Sequence, residues 1–158
     1  MKIVNLVVAI ILSISFIGCS KERASYEDVL KDYCTALQEG NEEKYKELIY
    51  PSNIKNSEAT EVIGFSNNIK NKNKEKWGDN PKLTYNIVNL YDKESSEVNR
   101  YLESSSTKTV FENNNIKYDD AVIIESKIIC YESSINARFV MLKSDGEWYI
   151  ARLVPFEE

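Results

Sequence analysis

The sequence predicts an α+β domain in which N-terminal helices pack on an antiparallel sheet. Three observations carry this. Apolar residues recur at helical spacing between Tyr26 and Ile49, the mark of amphipathic helices with one face turned to a core. The last quarter of the chain, from Ala121 onward, is rich in Val and Ile and alternates them with polar residues, which is the two-residue period of strands. The Asp145-Gly146 pair between two such runs is a strong hairpin signal, so those strands are antiparallel.

The chain opens on a leader. Lys2 precedes an apolar run, Ile3 to Ile17, broken only by Asn5, Ser13 and Ser15. As a helix this run spans roughly 22 Å at about 1.5 Å per residue, short of the roughly 30 Å of a bilayer core. A charged start, a short apolar run and small residues at its end read as a secretory signal. Phe16-Ile17-Gly18-Cys19 resembles the lipobox of bacterial lipoproteins, with Phe16 where Leu is usual. The resemblance implies removal of residues 1–18, diacylglycerol on the Cys19 sulfur with palmitate as the acyl group, and a lipid anchor in the cell membrane facing the extracytoplasmic side. Two acyl chains are what stable anchoring requires. The other readings are cleavage after Ser20, where Gly18 and Ser20 hold the small-residue positions, and an uncut anchor.

Cleavage before Cys19 leaves 140 residues, 158 less 18, and removes one charge, so the net charge goes from −5 to −6. That is the size of one domain with one core, organised as a tether over 19–24 and a single α+β domain over 25–158. A net acidic chain with no basic run is a poor partner for nucleic acid. With no His, it lacks the commonest general base and the commonest metal ligand.

Ser25 and Asp28 form a capping box, and Tyr26, Val29, Leu30, Tyr33 and Leu37 line one face of the first helix. Gly40 ends it, and Asn41 caps a short second helix bearing Tyr45, Leu48 and Ile49 before Pro51. Residues 52 to 57 read as a loop. Ser57 to Trp77 predicts a third helix with Val62, Ile63, Phe65, Ile69 and Trp77 on its apolar side, and a solvated Asn- and Lys-rich second half. Gly78-Asp79-Asn80-Pro81 breaks it.

Lys82 to Tyr91 predicts a strand whose apolar parity shifts between Ile87 and Val88, the sign of a bulge or of cover on both faces. Ser95 or Ser96 caps a helix with Val98, Tyr101 and Leu102. Residues 104 to 115 carry no clear period, and Asn113-Asn114-Asn115 reads as a turn. From Ala121 to Tyr131, Val122, Ile124, Ser126, Ile128 and Cys130 share the core face, and Ile123, Glu125, Lys127, Ile129 and Tyr131 share the outward one. Glu132-Ser133-Ser134 is read as the turn into Ile135 to Lys143. Asp145-Gly146 turns the chain into Glu147 to Leu153, and Pro155 ends it.

The helix-Gly-Asn junction, Leu37-Gln38-Glu39-Gly40-Asn41, and the closing hairpin, Val140 to Ile150 with Asp145-Gly146-Glu147-Trp148 at its turn, resemble small lipoproteins of the nuclear transport factor two-like superfamily, also described as cystatin-like or ketosteroid-isomerase-like. The resemblance implies a cone-shaped, strongly curved sheet with helices in its concavity. Enzymes of that superfamily place an Asp, His or Tyr inside the cone.

No nucleophile with a partner base, no phosphate loop and no metal-ligand spacing stands in this sequence, so no catalytic residue, metal or cofactor is assigned, and whether it is an enzyme stays open. Tyr33, Tyr85, Tyr101, Phe139 and Trp148 can point into the cone, either as filling or as an apolar pocket with phenol handles. Cys34 lies at the edge of the first helix's apolar face and Cys130 on the inward strand face. They can meet as a disulfide in an oxidising compartment or stay two buried thiols. The expected role is a non-catalytic binding or interaction module at the cell envelope, held to the membrane at Cys19, with an envelope protein, a peptide or a small apolar ligand as partner. The alternatives are a ketosteroid-isomerase-like enzyme with its pocket in the cone, and an envelope assembly module acting through an exposed sheet face bearing Ile123, Ile129 and Tyr131.

Overall fold

The computed structural model describes residues 23–51, 57–78 and 81–156. Cys19 with its leader, the first residues of the tether, the loop over 52–56 and the Asp79-Asn80 pair lie outside them. Helices α1 (Tyr26–Glu39), α2 (Glu42–Leu48) and α3 (Ser57–Trp77) precede strand β1 (Thr84–Tyr91). Two short helices, α4 (Ser96–Glu103) and α5 (Ser105–Asn113), lead into β2 (Asp120–Cys130), β3 (Ser133–Ser144) and β4 (Glu147–Pro155). The strands form one antiparallel sheet in the order β1-β2-β3-β4. The fold is α+β, with α5 as a helix beyond those read from the sequence. Among the described residues, no helix is long and apolar enough to cross a membrane.

Local chemistry sets the helix ends. Ser25 Oγ accepts from the Asp28 amide at 3.2 Å, and the Asp28 carboxylate accepts from the Ser25 amide at 3.3 Å, the reciprocal capping box. At the other end Gly40 is left-handed, at φ 63°. The Asn41 amide donates to the Ala36 carbonyl at 3.0 Å and the Gly40 amide to Leu37 at 3.2 Å, a Schellman closure. Asn41 Oδ1 then accepts from the Lys44 amide at 3.3 Å and starts α2 without a spacer. Ser95 caps α4 and Ser104 caps α5, so two serines a helix-length apart make a helical pair.

One sheet face is roofed by α1, α2 and α3. Val122, Ile124, Ile128 and Cys130 of β2, Ala137, Phe139 and Met141 of β3, and Trp148, Ile150 and Leu153 of β4 pack there against Val29, Leu30, Tyr33, Leu37, Tyr45, Val62 and Trp77. The inward parity read for β2 is the observed one. The chain at Ile49 bridges to Ile150 of β4, and the Tyr50 amide donates to the Ile150 carbonyl at 3.1 Å, so part of this sheet edge is occupied.

The opposite face is not open. Ala121, Ile123, Val140, Leu142 and Ala151 form a second cluster with Tyr50, Val98 and Ile116, and Tyr101, Leu102, Val110 and Phe111 of α4 and α5 pack against it. Ile123, expected on an exposed face, is buried; Ile129 is half-buried, and only Tyr131 of the three stays out in solvent. The hairpin before it also differs from expectation. Cys130 pairs with Ser133, so the turn is Tyr131-Glu132, with Tyr131 left-handed at φ 54°. Asp145 and Gly146 lie at φ 52° and 84°, the two left-handed residues of a type I′ turn.

Two bulges set which face the edge strands present. In β1, Ile87 pairs with Ser126 and Asn89 with Glu125, leaving Val88 extra. In β4, Arg152 pairs with Val140 and Ile150 with Met141, leaving Ala151 extra. Side chains alternate faces along a strand, so each extra residue flips everything beyond it. Without them Asn89 and Tyr91 would lie on the face of Tyr85 and Ile87, and Arg152 on the face of Trp148 and Ile150. With them all three turn to the face that carries Glu125.

Candidate functional site

On that second face, between α4 and the sheet, lies a cavity of about 530 Å³, within the roughly 300–1,000 Å³ of small-molecule sites. Its floor is Tyr91 of β1, Ile123 and Glu125 of β2, Arg138 and Val140 of β3, and Arg152 and Val154 of β4. Its wall is Glu97, Arg100 and Tyr101 of α4, with Ser104 at the helix end. Every strand contributes, and the bulges supply Tyr91 and Arg152.

Glu125 anchors the floor and is only 6% exposed. It faces Arg138 across the β2–β3 ladder and Asn89 across β1–β2. Oε1 accepts from Arg138 Nε at 2.9 Å and from Arg138 Nη2. Oε2 accepts from Asn89 Nδ2 at 2.7 Å and from the Tyr91 hydroxyl at 3.5 Å. Burial by itself would raise the Glu125 carboxyl; the hydrogen bonds from Asn89 and Arg138, the Arg138 charge and Tyr91 outweigh it and hold the group below its ordinary value. An ionised carboxylate with about four acceptor positions and four donors is saturated. It fixes the guanidinium and has little left for a proton or a substrate.

The other arginines of the cavity are differently placed. Arg152 Nε is buried with no hydrogen-bond partner among the described residues. Neither Arg100 nor Arg152 has an ion-pair partner among them. Three guanidiniums therefore share a cavity with two carboxylates, one of which is committed to Arg138.

The aromatic set read from the sequence does not converge on one pocket. Tyr33 packs against Tyr45 at 5.9 Å and Phe139 at 5.1 Å between ring centroids, and Trp148 meets Tyr26 edge-on at 5.9 Å. Tyr85 packs against the same core. None of these lines the cavity; Tyr101 alone does, across the sheet from the rest. The Tyr33 hydroxyl is spent on Ser66 Oγ at 2.8 Å, and burial pushes its pKa up.

Cys34 and Cys130 both lie buried in the helix-side core as free thiols. Burial pushes Cys34 up to about 12 and raises Cys130 as well. Among the described residues no group of three or more Cys, Asp or Glu is placed to hold a metal ion.

Sequence reasoning placed Glu125 on the outward face and set it aside there. The parity was right; what it lacked was the roof that α4 provides. Arg138, Arg152, Arg100, Tyr91 and Asn89 were not singled out. Their signal was the acid in the middle of a Val- and Ile-rich strand, which needs a partner if it is buried. No family model, curated protein or solved structure matches the chain.

Proposed function

We propose that the protein is a non-catalytic binding module of the cell envelope, tethered to the membrane through lipid on Cys19, and that the groove between α4 and the sheet is where it binds. The observation that carries the reading is the groove itself. It is a cavity of ligand size, built by all four strands, with two bulges turning polar side chains into it. Bulges that re-aim side chains are enriched beside functional sites. A non-catalytic role is supported by Glu125, whose lone pairs are all taken and whose carboxyl is held ionised; such a group positions Arg138 and is a poor acid or base.

The tether is supported by Gly18-Cys19 at the end of a short apolar run. Arg23 is already docked on the domain. Its carbonyl accepts from the Trp148 amide at 3.1 Å and its guanidinium donates to the Glu47 carbonyl at 2.6 Å. Cys19 lies four positions before it, a reach of at most about 14 Å, so a lipid there would hold the domain close to the bilayer. The curved, cone-shaped, nuclear transport factor two-like architecture belongs to the same proposal, supported by the helix-Gly-Asn junction and the Asp145-Gly146 hairpin.

Two measurements test this. Labelled fatty acid should enter the wild type and not Cys19→Ala; equal labelling removes the anchor. A photo-cross-linking residue at Tyr101, on the groove wall, should give adducts in intact cells that the same residue at Tyr131, 72% exposed on the far hairpin, does not. Adducts from position 131 alone would place the contact surface elsewhere.

A further inference from the structure

We infer that the groove takes a small amphipathic oxyanion, a carboxylate or phosphate head on an apolar body, and that Arg152 and Arg100 capture the head. The inference rests on the reading of the groove as the binding site and adds the chemistry of what fills it.

Arg152 is the starting point. Its Nε is buried without a partner among the described residues, an arrangement that costs free energy unless something accepts from it. The one carboxylate among the strand residues lining the cavity is Glu125, and it is already committed. Its two oxygens already take both Arg138 donors, Asn89 and Tyr91. Arg152 is also brought to this face only by the extra residue at Ala151. The strand irregularity thus brings Arg152 to the cavity lining with its Nε unpartnered among the described residues. A guanidinium is a planar fork of donors suited to a two-oxygen acceptor, and carboxylate and phosphate match it.

Arg100 supplies the second charge from the opposite wall. It projects from α4, lines the same cavity and has no ion-pair partner among the described residues. Glu97, one turn earlier on α4, is the remaining acid of the lining. With Glu125 committed to Arg138, two guanidiniums without an ion-pair partner among the described residues share the lining with one carboxylate. The cavity therefore carries a positive surplus inside a chain of net charge −5. The walls beside the arginines are apolar: Ile123, Val140 and Val154 on the floor and the Tyr101 ring above. A bare inorganic ion would leave that surface wet, whereas an alkyl or aryl body would cover it. Selection for the anion comes from the fork, and most of the contact area comes from the body.

The test is an NMR titration of the soluble domain, residues 20–158, with octanoate, octyl phosphate, octanamide and inorganic phosphate as probes. Octanoate or octyl phosphate should shift the backbone amides of Ile123, Val140 and Val154, and whichever is tighter names the head. Octanamide and inorganic phosphate should bind at least about tenfold more weakly, the loss expected for a charge-assisted hydrogen bond or for the apolar body. Arg152→Gln should weaken the preferred probe by about tenfold or more. Arg100→Gln, on an exposed helical position where folding is not at stake, should weaken it several-fold and leave octanamide unaffected. Octanamide binding as tightly as octanoate in the same groove would overturn the oxyanion while leaving the groove as a binding site. No shift in the groove from any probe would overturn both.

Discussion

Replacing Arg138 by Met isolates the energetics of the groove floor. The Glu125 side chain is 7% exposed and the Arg138 side chain 44%. Met keeps an aliphatic stem and removes the guanidinium. Oε1 then loses both its donors, and Oε2 keeps Asn89 and Tyr91. Breaking a fully buried pair from one side costs about 3–5 kcal/mol, because the remaining charge stays desolvated. Here the arginine is half in solvent, so the cost falls to about 1–3 kcal/mol. The pH dependence fixes the mechanism. In the wild type the Glu125 carboxyl is held below its ordinary value of 4.5. A depressed folded-state pKa contributes stability that is present above the unfolded value and lost as pH falls through the folded one. Without Arg138, desolvation has less to oppose it and the carboxyl moves up. The stability gap between wild type and Arg138→Met should therefore be full at about pH 7 and shrink as pH falls from about 5 to about 3. Urea unfolding at both ends of that range measures it. A gap under about 0.5 kcal/mol at neutral pH, the scale of an ordinary surface change, would refute the reasoning, and so would one that does not shrink in acid.

Three further outcomes follow from the core and the turns. Gly146→Val puts a β-branched residue at φ 84° and should cost about 1–2 kcal/mol, whereas Tyr131→Gly relieves a left-handed tyrosine and should gain up to about 1 kcal/mol; thermal melting that ranks them the other way contradicts the turn assignments. The Tyr45 hydroxyl is buried without a partner among the described residues, so Tyr45→Phe should be neutral or stabilising, while Tyr33→Phe, which breaks the bond to Ser66, should cost about 1 kcal/mol; a large loss for Tyr45→Phe in chemical unfolding would reveal an acceptor. Cys34 and Cys130 are buried thiols with raised pKa values, so an alkylating reagent at neutral pH should spare both in the folded protein and modify both after unfolding without reductant; unfolded protein that takes up neither would establish the Cys34–Cys130 bond.

The helix half of the fold was legible because its determinants are local. Ser25, Asp28, Gly40 and Asn41 act within a few residues of themselves, and they end α1 and start α2 as the sequence indicates. Asp145-Gly146 is equally local. What escaped depends on register and on distant cover. A turn read at 132–134 would set Glu125 opposite Met141; the turn at Tyr131-Glu132 sets it opposite Arg138, and the buried pair appears only in that register. The bulge at Val88 announced itself through the parity shift in β1, but the one at Ala151 interrupts a short strand whose alternation reads equally well without it. The covered second face needs α4 and α5 folded back on β2 and β3, a contact between segments that share no sequence signal. Ser104 is a good cap, yet Ser105 to Asn113 has too few apolar residues to show a helical stripe.

The most direct test of the central claim is a crystal structure of the protein purified from the membranes of the cells that make it. The account predicts a bound molecule in the groove, its charged head on Arg152 and Arg100 and its body between Tyr101 and the floor of Ile123, Val140 and Val154. A molecule seated instead among Tyr33, Phe139 and Trp148 beneath α1, or a groove filled by ordered water alone, would contradict it.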